Sequence, residues 1–162
     1  FIGIDPGGSG AFSLVYKREI DVRDWVSLDD AVNVLETWLM LYPVHSAAIE
    51  EVHARVYLKR GANGKVTAQS QKGSSNFKFG MNFGMWQGAL KALGVPYELV
   101  PPSVWMGSYN LRKKISKSDK PALDLARVQY PGADLKFQKH HDRAESLLIA
   151  AWLRDKHTLK LP

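Results

Sequence analysis

The chain has 162 residues, 45% of them hydrophobic and 10% aromatic, a composition that excludes a disordered chain and is enough for one folded domain, 1–162, with a real core. It contains no cysteine, which excludes disulfides and thiolate metal sites, and no apolar run approaches the ~20 residues that span a bilayer. The formal net charge of +6 is the usual footprint of a polyanionic partner.

The first residue is Phe1 rather than Met, inside an apolar run, consistent with a trimmed leader; the compartment is therefore not legible. "FIGID" (1–5) reads as a buried strand ending in an acid, and "PGGSG" as a turn. "AFSLVYK" (11–17) and "IDVRDWV" (20–26) alternate and predict two further strands of an antiparallel meander. Residues 28–42 have helical spacing, with Val32, Leu35, Trp38 and Leu39 on one side and Pro43 as the stop. "VHSAAIEEV" (44–52) is a short apolar strand that again ends in acid. A long basic, polar loop is expected up to about Ser75. A Gly-rich helix over 76–94 follows, with glycines at 80, 84 and 88 on one face, then a strand over 95–100 and a turn with a short helix over 101–111. Residues 116–130 predict a helix capped by Ser116 or Ser118, and the last helix opens with "HHDRAESLL" (140–148). The order implies an α/β fold with a mixed sheet of about five strands flanked by helices.

Asp5 and Glu50 end two predicted strands. If these are parallel neighbours, both acids emerge at the carboxyl edge, where open α/β sheets place their sites. Asp142 and Glu145 are three residues apart and share a helix face with His141. Gathering four acids costs several kcal/mol unless cations neutralise them, and hard cations with oxygen ligands, Mg²⁺ or Mn²⁺, do so. Two such ions can activate a water and steady a leaving oxygen in phosphodiester hydrolysis. Taken singly, each acid also has a structural reading: Asp142 as a helix cap in a D-x-x-E box, Glu50 as a solubilising edge charge, Asp5 in an Asx turn.

The basic residues are clustered. Arg55, Lys59, Arg60, Lys65 and Lys72 occupy the loop after the second acid-ended strand without an acid among them. Arg112, Lys113, Lys114, Lys117 and Lys120 precede the penultimate helix, and Lys136, Lys139 and Arg143 surround the start of the last one. Tyr57 and Phe77 are available to stack on bases.

"GIDPGGSGA" (3–11), "AIEEV" (48–52) and "HHDRAESLLIAA" (140–151) together resemble the RuvC group of Holliday junction resolvases. "NFKFGMNFGMWQGAL" (76–90), "VPPSVW" (100–105) and "KSDKPALDLA" (117–126) resemble the branch that contains the chloroplast resolvase and related phage and bacterial proteins. The resemblance implies an RNase H-like fold, a homodimer and paired, Mg²⁺- or Mn²⁺-dependent nicking of four-way DNA junctions, with two ions per site. It matches Asp5, Glu50 and Glu145 to metal-binding acids and either Asp142 or His141 to the remaining ligand. Lys120 matches a lysine near the scissile phosphate. A basic residue expected after "SV" is Trp105 here, and the aromatic expected after the "AIE" strand is His53. The setting it implies is bacterial or phage-infected cytoplasm, or an organelle stroma. The rival readings are a ribonuclease acting on RNA–DNA hybrids and a non-catalytic junction binder.

Overall fold

In a computed structural model of the protein, residues 1–51, 56–60, 66–70, 73–111 and 119–158 are described. Five strands form one mixed sheet: β1 (Ile2–Asp5), β2 (Ala11–Tyr16), β3 (Glu19–Asp24), β4 (Ala47–Glu50) and β7 (Tyr97–Val100), in the order β3-β2-β1-β4-β7. The first three are an antiparallel meander, while β1–β4 and β4–β7 are parallel, with Ile4 opposite Ile49 and Glu50 opposite Val100. The predicted parallel pairing of the two acid-ended strands is present.

Alternation along the central strands decides what each face meets. Ile2, Ile4, Phe12, Leu14, Ala47 and Ile49 pack with α1 (Leu28–Leu41) and α2 (Gly73–Ala92). Val15, Ala48 and Val100 pack on the other face with α3 (Pro102–Ser108), α4 (Pro121–Gln129) and α5 (His141–Thr158). Each fully buried aliphatic side chain in these layers stabilises the fold by about 1.5–3 kcal/mol. On the first face Phe12 stacks obliquely on Trp38 and Trp86 at centroid distances of 5.3 and 4.9 Å. On the second, Gly3 permits direct contact between β1 and α5. A Cβ there would lie 2.1 Å from the Ser146 carbonyl oxygen and 2.3 Å from the Ala150 nitrogen.

Helix ends follow local chemistry. Ser27 caps α1 by accepting from the Asp30 N–H at 3.1 Å, and Tyr42 leaves the helix in an extended conformation just before Pro43. The buried stripe of α1 is Ala31, Leu35 and Trp38, whereas Val32 and Leu39 are only partly buried.

Two expectations need correction. The segment between β4 and α2 is not irregular throughout: β5 (Val56–Arg60) and β6 (Val66–Ser70) form a two-stranded antiparallel sheet. The alternation of "VYLK" and "VTAQ" and the Asn63-Gly64 pair between them are hairpin signals that the basic charge obscured. Helix α4 begins at Pro121 rather than in a serine-capped turn upstream. Lys120 takes φ −128° and ψ 64°, because a residue before proline is driven out of the helical region. Ser116 and Ser118 lie outside the described residues.

Candidate active site

The strand that carries Asp5 leads into a turn built around that side chain. Asp5 Oδ1 accepts from the Gly7 N–H at 3.0 Å, so the Asx-turn reading of this residue is right. Gly10 closes the turn where only glycine fits, since a Cβ would lie 2.5 Å from the Asp5 carbonyl oxygen. Asn82, buried on α2, donates to the Gly7 carbonyl at 3.2 Å and ties the turn to that helix. By alternation Asp5 falls on the same sheet face as Gly3, the face covered by α5.

The head of α5 answers from above. One carboxylate oxygen from each of Asp5, Asp142 and Glu145 lies within 4.8 Å of the others. Asp5 is buried and the two helix acids are half-buried. Asp142 does not act as a cap. It sits inside the helix's first turn, after a 3₁₀ turn (Gln138–His140), and its partners are Ser9 Oγ at 2.7 Å on Oδ2 and His141 Nε2 at 2.7 Å on Oδ1. Ser9 thus bridges the turn after β1 to the start of α5. His141 is not part of the group that gathers around Asp5, and its buried Nδ1 has no hydrogen-bond partner among the described residues.

Glu50, the fourth acid expected to join them, stands outside this group of three, but it shares the α5-facing side of the sheet with Ala48 by alternation, at the same carboxyl edge as Asp5. Its Oε1 accepts from the indole N–H of Trp105 at 2.9 Å. Trp105, where a cation was expected, is 1% exposed in the core beneath α5. Sequence reasoning missed Ser9, Asn82 and the Trp105 N–H as contributors. Only Ser9, within the Gly-rich turn, had a local signal.

The remaining residues are dispersed. Lys120 is half-buried at the N-cap of α4. Lys136 and Lys139 are exposed before α5, with Lys139 Nζ 5.8 Å from the centre of the exposed Phe137 ring. Arg143 is engaged otherwise than its sequence position implies. Its guanidinium clamps Asp24 through two bonds of 2.6 and 2.7 Å and Asp134 at 2.7 Å, with only 16% of the side chain exposed. The Arg143 bonds hold the Asp24 carboxyl below the usual carboxylate range, and the Arg143 pKa is raised in turn. Phe77, at 72% exposure, projects from the first half of α2. Tyr57, Lys59 and Arg60 lie on β5. Arg55, Lys65, Lys72, Arg112, Lys113, Lys114, Lys117 and His53 lie outside the described residues.

The oxygen-only character of the Asp5–Asp142–Glu145 group fits a hard divalent cation such as Mg²⁺ or Mn²⁺ and is a poor match for softer metals. Among the described residues no helix is long and apolar enough to cross a membrane.

No protein-family model matches the chain. Over 74 residues it is 37% identical to the chloroplastic Holliday junction resolvase MOC1 of Chlamydomonas reinhardtii, a match that covers 43% of this chain and 8% of that protein. Two solved structures of Thermus thermophilus RuvC, one of them in complex with a Holliday junction substrate, superpose with a TM-score of 0.55 at 16% identity. Each match covers 98% of both chains. Both comparisons bear out the likeness read from the sequence, and the chain has the fold of RuvC.

Proposed function

We propose that the protein is a structure-selective nuclease that hydrolyses four-way DNA junctions with Mg²⁺ or Mn²⁺, acting as one nuclease domain. The observation that carries the reading is the convergence of Asp5, Asp142 and Glu145 at the carboxyl edge of the central strand in a RuvC-like fold. Three carboxylates so close repel one another and repel DNA phosphates, so the arrangement makes sense as a cation cradle and none as a bare binding surface.

Asp5, Asp142 and Glu145 would hold the cation, with Glu50 at the same edge. A divalent cation so held supplies an activated water and stabilises charge on the departing oxygen. The chain's own groups prepare that position. The Asx turn fixes Asp5, Ser9 and His141 fix Asp142, and α5 presents Glu145 three residues after Asp142. The reaction adds water across one P–O bond: its oxygen ends on phosphorus and a proton on the leaving sugar oxygen. Lys120 would balance negative charge on the phosphate. The basic residues of the β5–β6 segment, the stretch before α4 and the approach to α5 would follow backbone phosphates, so that shape rather than sequence dominates binding.

A homodimer through α2 belongs to the same reading. Phe77 and Met81 are 72% and 42% exposed, and among the described residues nothing lies within 4 Å of a Cβ placed at Gly80, Gly84 or Gly88. That face is open to a second copy, and a twofold dimer suits a nearly twofold junction. Sedimentation at micromolar concentration should show it.

Digestion of a four-way junction, an RNA–DNA hybrid and a plain duplex, each with and without Mg²⁺, tests the function. Selective, Mg²⁺-dependent cutting of the junction supports it. Preference for the hybrid points to a ribonuclease, and tight junction binding without cutting to a non-catalytic binder.

A further inference from the structure

We infer that Trp105 is a positioning residue for the metal centre: its indole N–H holds the Glu50 carboxylate in the orientation a cation requires. The inference rests on the reading of Glu50 as part of that centre. The Trp105 ring lies in the same buried cluster as Val100, Leu123 and Leu147, and Nε1 is 2.9 Å from Glu50 Oε1. An indole can only donate, and a buried N–H needs an acceptor. The geometry of α3 supplies one at the end of β4, because β4 and β7 run in parallel register and α3 starts two residues after β7.

The chemistry of the donor matters. A lysine at this position would place a full positive charge against Glu50 and compete with a cation for the same carboxylate. The indole N–H is neutral: it fixes the plane of the carboxylate and leaves its charge to act on a metal. Its rigid two-ring body, locked in the core, is less able to swing away than an aliphatic amine. Trp105 thereby gives Glu50 what Ser9 gives Asp142 and the Gly7 N–H gives Asp5, namely a fixed hydrogen-bond donor on one carboxylate oxygen. Such outer-shell donors typically contribute 10- to 100-fold to metal affinity.

The test uses the full chain labelled with ¹⁵N-tryptophan. Of its five indole N–H signals, the one missing in Trp105→Phe belongs to Trp105. It should move on titration with MgCl₂ and shift in Glu50→Gln. Calorimetric titration with MnCl₂ should show about 10-fold weaker binding in Trp105→Phe. It should weaken equally when 3-benzothienylalanine, which keeps the two-ring shape and replaces N–H by sulfur, is placed at position 105. Wild-type Mn²⁺ affinity with that isostere overturns the positioning role, even if Trp105→Phe is impaired through lost packing or fails to fold. Glu50→Gln separates the two levels. If it loses Mn²⁺ affinity while the isostere keeps it, only the role of Trp105 falls. If Glu50→Gln itself binds Mn²⁺ like wild type, the assignment of Glu50 to the centre falls, and this inference with it.

Discussion

Asp142 has an oxygen on each of two partners, Ser9 Oγ and His141 Nε2, while its neighbour three residues on, Glu145, completes the group with Asp5. Glu145→Gln keeps the size of the side chain and removes its charge. Junction cleavage should fall by orders of magnitude, while junction binding persists or tightens and stability in metal-free buffer rises, because repulsion among the acids is relieved. Gel-based cleavage, binding titration and urea melts read the three effects; near wild-type cutting would remove Glu145 from the centre. Asp142→Asn should cost more activity than His141→Ala, since His141 stands outside the group of three. Arg143 ties β3 to α5 through its bonds to Asp24. Its bonds depress the Asp24 pKa, so the pair's stabilisation is present above the unfolded carboxyl value of about 3.9 and is lost as pH falls through the lower folded value. Asp24 is half exposed and the pair is screened, so Asp24→Asn should destabilise by no more than about 1 kcal/mol at neutral pH. The gap between the two proteins should close as urea melts are carried below about pH 4.

At the scale of elements, the distance between β1 and α5 sets the distance between Asp5 and the helix acids. Gly3 allows that approach, with its Cβ position inside van der Waals range of the Ser146 and Ala150 backbone. Gly3→Ala should therefore destabilise by about 3 kcal/mol, as overpacking against backbone does. It should also reduce cleavage by the remaining folded fraction, because α5 carries Asp142 and Glu145 with it. Denaturant melts and assays at a temperature where the variant is folded separate the two. An unchanged melt would mean that α5 does not rest on β1 as described. The Gly-rich spacing in α2 was equally visible in the sequence but has another meaning, since Gly80, Gly84 and Gly88 meet nothing within the described chain.

For the whole molecule, the net charge of +6 is the quantity to test. If the β5–β6 segment follows DNA arms, neutralising Lys59, Arg60 and Lys65 together should weaken junction binding and flatten its salt dependence. The slope should become shallower by about 0.9 for each phosphate that is no longer neutralised. A binding isotherm series from low to moderate salt reads this, and an unchanged slope would take the segment off the DNA. The proposed metal centre should respond differently: with these lysines and arginine replaced, cleavage at saturating enzyme should be retained.

The sequence by itself determined the central strands, the helices and the acids at their ends, because these rest on short-range patterns. Alternation marks a strand, three-to-four spacing marks a helix, and an acid closing an apolar run stands out against both. The likeness to RuvC was legible for the same reason, in "GIDPGGSGA" and "HHDRAESLLIAA". What only the tertiary structure decided are pairings between residues far apart in the chain. Arg143 meets Asp24 and Asp134, Ser9 meets Asp142, and Trp105 meets Glu50. Asp142 rather than His141 enters the acidic group, because the direction in which α5 crosses β1 decides which side of its first turn faces Asp5. No periodicity within one element encodes that direction. It follows from how Gly3, Ser146 and Ala150 let two elements settle against each other, which is a property of packing.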